Sequence, residues 1–480
     1  MISKKRTRGR QIKIAEKIIP ALVPFVLIFF TACSDKAERR PVRNVLVVSI
    51  DSLRADHVGC YGYPKPTTPA MDEFAAGNLR FENSYSSSPW TLPTHASMFT
   101  GLTPTAHGAT KFKSSLRPGA KTLASVLKKN GLKTVAVVCA PLLQKRYGLH
   151  NGFDIYDTDL IPPEYEEALL SKVAGKVTDK ALKYFDENSN NPFFLFLHYW
   201  DPHYDYNPPK EYADIFDPDY EGSINGQNIR YRKDMTPDMN PRDLRHIVSL
   251  YDAEIRYTDD QIKRLLAGLA GRGLDSNTMV IITSDHGEEF LEHGWKGHTN
   301  TCYEESIKVP LMMKIPWVNP ALSVSKEYVG TIDIFPTILD ALNVKNEGLI
   351  FQGLSLMSTI TQDKKLPRSY LTAETRYGHT APPLTKVGPW KALITPDRHK
   401  FHDYGKKSKG YRSLLFDLDE DPGEQADLSE KRPELSGQYH KTLSDEFARQ
   451  KQLSQKIKLS ENKKLDKKTK EVLQGLGYVQ

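Results

Sequence analysis

Asn44-Val45-Leu46-Val47-Val48-Ser49-Ile50-Asp51 decides the fold: an almost unbroken apolar run, rich in β-branched side chains, that ends on a carboxylate. The run does not alternate between apolar and polar, so it suits a central strand covered on both faces. Thr134–Ala140, Phe193–Leu197, Met279–Thr283 and Val309–Ile315 read the same way. Helices are expected between them, over Thr122–Lys129, Glu164–Phe185 and Leu250–Leu269. In the second of these, Leu169, Val173, Val177, Ala181 and Phe185 recur at helical spacing, opposite lysines and acids. Strands alternating with helices predict an α/β fold on a mostly parallel sheet flanked by helices.

From about residue 365 proline and glycine become frequent and the runs shorten. Lys391–Thr395 and Ser413–Asp417 then read as strands of a small C-terminal α+β subdomain. The expected division is 1–33 as a targeting segment, 34–43 as a linker and 44–364 as the main α/β domain. The small subdomain then occupies 365–443, and a lysine-rich helical tail 444–480. The 480 residues suffice for one large core and a second, smaller unit.

The net charge of +7 comes largely from basic clusters at the two ends. Neither is interleaved with aromatics, so they read as solvated charge and no nucleic-acid partner is expected. The N-terminal basic run leads into the apolar 18–32 stretch, which contains Pro20 and Pro24 and ends at Phe30-Thr31-Ala32-Cys33. Small residues before a cysteine at that place resemble a bacterial lipobox, implying a lipidated Cys33 and an exported, membrane-tethered protein of the cell envelope. An uncleaved anchor is the alternative. Cys60, Cys139 and Cys302 are odd in number and far apart, which excludes a zinc or disulfide framework built on their spacing and leaves them as buried thiols.

In open α/β sheets ligands bind beyond the carboxyl ends of the strands. The polar residues following strand runs are Asp51, the His198–His203 segment, and Asp285 with His286. Thr91 joins them from Ser88-Pro89-Trp90-Thr91-Leu92-Pro93-Thr94-His95, where a short helix is expected to begin. Asp51, Thr91, Asp285 and His286 together offer three oxygens and one nitrogen, a donor set for one divalent metal ion, Zn or Mn ahead of Mg or Ca. Gly287 is expected to permit the turn that redirects Asp285 and His286 toward each other. Structural alternatives stand beside each residue: Thr91 as a helix N-cap, Asp51 as a turn cap, His198 as a buried core histidine and Arg54 as the partner of Asp56.

Asp51-Ser52-Leu53-Arg54-Ala55-Asp56-His57 with Thr67-Thr68-Pro69, Ser284-Asp285-His286-Gly287-Glu288, Tyr303-Glu304-Glu305-Ser306, Asp333-Ile334-Phe335-Pro336-Thr337, Gln352-Gly353-Leu354-Ser355-Leu356 and Leu415-Phe416-Asp417-Leu418 resemble, in order, the motifs of the sulfatase family within the alkaline-phosphatase superfamily. The resemblance implies a single-metal core that hydrolyses sulfate or phosphate esters. It also departs at telling positions. Threonine stands at Thr91, where a sulfatase carries the Cys or Ser it converts to formylglycine. His95 replaces the motif's arginine, Ser52 replaces a second acid, and the lysine-bearing sulfate grip is absent after Cys139-Ala140. These changes resemble the threonine-nucleophile phospho-transferases of the envelope.

The expected function is therefore metal-dependent ester hydrolysis with unmodified Thr91 as nucleophile and His203 moving a proton. His95, His198, His203, His298 and Arg54 are expected on the substrate side, facing an anionic ester on a glycan or lipid headgroup. Phosphoester is favoured over sulfate ester. The alternatives are a formylglycine-independent sulfatase, an envelope phospho-group transferase, and a catalytically silent carbohydrate-binding relative.

Overall fold

The computed structural model describes residues 42–161, 173–188, 190–319, 323–376, 389–407 and 410–457. The expected targeting segment, the start of the expected 164–185 helix and most of the expected lysine-rich tail lie outside the described residues. Strands β1 (Asn44–Ile50), β2 (Leu79–Tyr85), β3 (Lys133–Val137), β4 (Ile155–Asp157), β5 (Phe193–Tyr199) and β6 (Thr278–Ser284) alternate with helices, as expected. A two-stranded ribbon, β7 (Glu289–Phe290) and β8 (Lys296–Gly297), precedes β9 (Leu311–Lys314) and β10 (Val324–Gly330). The large sheet runs β10-β2-β9-β6-β1-β5-β3-β4.

β1 lies at the centre between β5 and β6, parallel to both, and all seven of its residues are buried. Its two-sided cover is the reason for its continuous apolar sequence. β9 is the exception to the parallel order, antiparallel to both β2 and β6. A parallel return needs a packed crossover, usually a helix. The 285–310 connection holds only the β7–β8 ribbon and a four-residue helix, Glu304–Ile307, so the chain comes back in the opposite sense. β2 escaped the reading because it alternates: Leu79 and Phe81 face inward while Arg80 and Glu82 are half-exposed.

The Pro241–Gly271 helix starts nine residues before the expected Leu250, at an Asn240 cap that accepts the Arg242 N–H, and its first turns are polar. The Ala174–Asn188 helix buries Val177, Ala181 and Phe185 on the anticipated face. The smaller sheet, β11 (Leu371–Thr375), β12 (Trp390–Ile394), β13 (His399–Lys407) and β14 (Gly410–Asp417), is antiparallel throughout. The Pro433–Lys456 helix packs on it through Leu443 and Phe447, so residue 444 falls inside that helix and starts no new element. Cys139 and Cys302 are buried free thiols, whereas Cys60 is partly exposed.

A buried polar network ties the small sheet to the large one. Lys400 of β13 reaches Glu304 Oε1 at 2.9 Å and Glu424 Oε2 at 3.1 Å, and His402 Nε2 lies 2.7 Å from Glu424 Oε1. Lys400, His402 and Glu424 are all buried. Such a network holds only while every member keeps its partner, since breaking a buried pair on one side costs about 3–5 kcal/mol. Among the described residues no helix is long and apolar enough to cross a membrane.

Candidate active site

The neighbouring C-terminal ends of β1 and β6 carry Asp51 and Asp285 side by side. Ser52 follows Asp51 at φ 59, a left-handed conformation uncommon for a residue with a Cβ. That turn aims the Ser52 N–H at Asp285 Oδ1, 3.2 Å away, while its hydroxyl donates to Asp51 Oδ1 at 2.9 Å. Asp285 Oδ1 also accepts the His286 N–H at 2.9 Å. Its other oxygen, Oδ2, is buried with no hydrogen-bond partner.

His286 is oriented from behind. Its Nδ1–H donates to Gly287 O at 2.8 Å, which leaves Nε2 with a free lone pair facing the carboxylates. Nε2 lies 3.4 Å from Asp285 Oδ2, 3.5 Å from Asp51 Oδ1 and 3.4 Å from Thr91 Oγ1. Gly287 was expected to permit the turn that brings Asp285 and His286 together, and it does so without a positive φ. A Cβ there would lie 1.9 Å from Glu305 O, so glycine is required by close approach. The Gly287 and Glu288 N–H groups donate to Ser306 and Glu305 carbonyls at 2.9 and 3.0 Å.

Thr91 is the first residue of the Thr91–Thr100 helix, and Trp90 holds the N-cap position without a side-chain cap bond. The N-cap alternative for Thr91 is therefore corrected: its hydroxyl points out of the helix, 3.5 Å from Asp51 Oδ2. The helix start adds N–H groups without intrahelical partners and a positive dipole end beside that oxygen.

The donors of Asp51, Asp285 and His286 converge as one three-residue group, and Thr91 Oγ1 stands at the same spacing. A tetrahedral ion with bonds of about 2.0–2.1 Å holds its donors about 3.3–3.4 Å apart. The partnerless Asp285 Oδ2 and the free His286 Nε2 face this point, so the residues fit a divalent cation. Burial and the charge of Asp51 push the Asp285 carboxyl well up. Burial pushes the His286 imidazole down to about 4, which keeps it neutral and able to ligate.

The other expected residues divide. His298 and His203 gather beside His286: the His286 and His298 rings are 4.4 Å apart, and those of His203 and His298 4.9 Å. His203 stacks on Trp200 at 3.9 Å and its Nδ1–H donates to Tyr204 O. Burial pushes it down to about 4, so it is a neutral imidazole at neutral pH. His95 corrects its expectation as a substrate ligand. It is buried within its own helix turn, donating from Nδ1 to Thr91 O at 2.8 Å and lying 3.1 Å from Ser49 Oγ through Nε2. His198 likewise lies beneath the carboxylates, its Nε2 3.2 Å from Asp51 Oδ2 and its Nδ1 3.4 Å from Cys139 Sγ.

Arg54 is spent on structure. It forms a double hydrogen bond to Asp56 at 2.9 and 2.7 Å, pairs with Glu292, and donates to Glu288 O at 3.0 Å. The Arg–Asp alternative is the one the fold adopts. Sequence reasoning assigned no role to Ser52 or to Glu288. The buried Glu288 carboxylate lies 3.3 Å from His298 Nδ1 and orients that ring. A glutamate immediately after Asp-His-Gly was the available signal.

A family profile described as Sulfatase matches residues 43–344. The chain belongs to the sulfatase family. A second profile, N-sulphoglucosamine sulphohydrolase, C-terminal, matches 291–452, across the small sheet and its helix. Among sulfatase-family relatives, an arylsulfatase of Clostridium perfringens is 25% identical over 84% of this chain and 94% of its own length. An N-acetylglucosamine-6-O-sulfatase of Bacteroides thetaiotaomicron is 23% identical over 86% and 88%. The phosphonate monoester hydrolase of Agrobacterium radiobacter shares the fold with a TM-score of 0.69 at 18% identity, covering 85% of this chain and 96% of that one. A structure solved in complex with its substrate D-glucosamine-2-N,6-O-disulfate shares it with a TM-score of 0.68 at 21% identity, covering 88% and 100%. As a member of the sulfatase family the protein is a hydrolase of ester bonds.

Metal binding should release a proton. With its pKa raised, Asp285 is protonated in the metal-free protein below that pKa, and a ligating carboxylate must be ionised. Zn²⁺ or Mn²⁺ affinity should therefore fall about tenfold per pH unit as pH drops below it, for one displaced proton. Calorimetric titration in buffers of different ionisation enthalpy reads the proton directly; metal binding without proton release contradicts this site.

Proposed function

We propose that the chain hydrolyses anionic monoesters on a carbohydrate with unmodified Thr91 as the nucleophile, phosphate ester ahead of sulfate ester. The observation that carries this is the Thr91 hydroxyl standing 3.4 Å from His286 Nε2 and 3.5 Å from Asp51 Oδ2, at the start of a helix. The residues that would hold the metal are Asp51, Thr91, Asp285 and His286, and the imidazole among hard oxygens favours Zn or Mn. When bound, the ion lowers the hydroxyl pKa and withdraws charge from the ester oxygens.

The protein's own groups supply the rest. His95 holds the Thr91 carbonyl and so sets the first turn that presents the hydroxyl. The helix N-terminus offers N–H groups to the non-bridging oxygens of the ester. His203 and His298, both neutral, stand where a leaving oxygen needs a proton or an incoming water loses one. Glu288, beside His298 Nδ1, fixes which ring nitrogen faces the pocket.

Phosphorus suits this machinery because a threonine phosphoester is released by water attacking phosphorus. A threonine sulfate ester lacks the internal elimination that formylglycine hydrate provides. A second reading, cleavage of sulfate esters on saccharides, is favoured by the names of the relatives and by the glucosamine disulfate held in one related structure. We also propose that the protein is exported and tethered to the bacterial cell envelope through a lipidated Cys33, from the Thr31-Ala32-Cys33 sequence.

Thr91→Ala should keep the fold and bind the metal more weakly through Asp51, Asp285 and His286, and at saturating metal lose about 10³-fold or more in kcat/KM, while Thr91→Ser retains measurable turnover. A panel of phosphate monoesters, phosphodiesters and sulfate monoesters reads the preference, and unchanged activity in Thr91→Ala sinks the proposal. Metabolic labelling with a clickable fatty acid should tag the wild type and not Cys33→Ala; equal labelling of both refutes the anchor.

A further inference from the structure

Beside the catalytic pocket, four cations converge with few carboxylates to balance them among the described residues. A cleft of about 480 Å³ lies between the Pro104–His107 helix with its following loop, strand β12 and the end of the Pro433–Lys456 helix. Its polar lining includes Thr105, Thr110, Arg117, Arg376, Lys391 and Lys451. Arg376 pairs with Glu374 at 3.0 Å and donates to Thr105 Oγ1 at 2.9 Å, which fixes its guanidinium. It is the only one of the four cations with an ion pair among the described residues. The Arg117 Nε–H goes to Ala106 O at 2.9 Å, and Lys391 Nζ sits 4.1 Å over the Phe447 ring.

The facing acids are Glu374 and, across the strand pair from Lys391, Asp403. Burial and the nearby Arg376 charge both lower the Arg117 pKa, and burial lowers that of Lys391. Like charges held together in a cleft with low-dielectric walls focus a positive potential there.

The cleft is wired to the catalytic centre. Glu374 N–H donates to Ser87 O at 3.0 Å, and Ser88 Oγ donates to Glu374 O at 2.8 Å, in the loop that enters the Thr91 helix. Thr375 Oγ1 donates to Thr299 O at 2.7 Å, one residue after His298. The strand end that carries Arg376 is thus bonded to both walls of the reacting pocket.

We propose that this cleft is a second anion site, taking a sulfate or phosphate group on a sugar other than the one whose ester is cleaved. The substrate is then a multiply charged oligosaccharide. Two guanidinium groups can each grip an oxyanion in two-point fashion, the lysines add point charge, and the Thr110 hydroxyl and the Phe447 ring suit a sugar. The proposal rests on the reading of the chain as a carbohydrate ester hydrolase.

The test titrates the full chain with a heparin-derived hexasaccharide, its chemically desulfated counterpart, and a DNA duplex of matched charge. The sulfated hexasaccharide should bind with an affinity that falls as salt rises. Arg117→Gln with Lys451→Gln should weaken it about tenfold or more, the equivalent of about 1.4 kcal/mol, and leave turnover of a small aryl phosphate within twofold. Substitution of tail lysines Lys463, Lys464, Lys467 and Lys468 by Gln should not change binding. Undiminished binding in the cleft variant, loss in the tail variant instead, or equal affinity for the DNA or the desulfated saccharide overturns the proposal. So does loss of aryl phosphate turnover in the cleft variant. A chain that cleaves no ester, yet binds the hexasaccharide through Arg117 and Lys451, refutes the hydrolase reading and leaves the anion site standing.

Discussion

Two buried carboxylates facing one another are the constraint on which the rest depends. Asp51 and Asp285 are both fully buried at adjacent strand ends, and Asp285 Oδ2 has no donor to satisfy it. An isolated carboxylate is very costly to bury, and two of them repel. Protonation relieves the repulsion in the metal-free chain, which is the direction in which Asp285 is shifted. A divalent cation would relieve it better, and the neighbouring groups suit one. Ser52 takes a left-handed turn to hold both acids, Gly287 O holds the His286 tautomer, and burial keeps that imidazole neutral. Thr91 Oγ1 stands beside the same point, 3.4 Å from His286 Nε2, and is the group that the proposed reaction would activate.

The histidines around this core divide into two layers by their partners. His95 and His198 lie beneath, engaged with Thr91 O, Ser49 and Asp51. His203 and His298 lie beside His286, supported by Trp200, Tyr204 and Glu288. The lower pair braces the first turn of the Thr91 helix and Asp51, and in the proposed reaction the upper pair is the one placed for proton transfer.

Much of this was legible before any coordinates. β1 and β6 announced themselves by continuous apolar sequence, and the residues directly after them are the metal-type donors, because parallel strands bring their C-terminal ends to one edge. β2 was not legible, since its alternation reads as surface when the facing helices are unknown. The reversed sense of β9 followed from a connection too short in regular structure to pack a crossover. Among the expected site residues, Asp51, Thr91, Asp285 and His286, whose backbone positions bring them to one edge, do converge. Side-chain direction was less legible: Arg54 turns to Asp56, the structural alternative offered for it, and to Glu292, and His95 turns back onto its own helix. Burial alone does not reveal which way a polar side chain turns. The basic cleft was invisible to sequence reasoning because Arg117, Arg376, Lys391 and Lys451 come from four separate segments.

The central claim is that Thr91 reacts as threonine and carries the transferred group. The most direct measurement is rapid quenching during steady-state turnover, followed by mass spectrometry of the tryptic peptide from Phe81 to Lys111. The account predicts an unmodified Thr91 before substrate is added and a phosphoryl or sulfuryl group on Thr91 during turnover, lost again when substrate is exhausted. A peptide that stays unmodified throughout turnover, or a label on Ser86, Ser87 or Ser88 in place of Thr91, contradicts it.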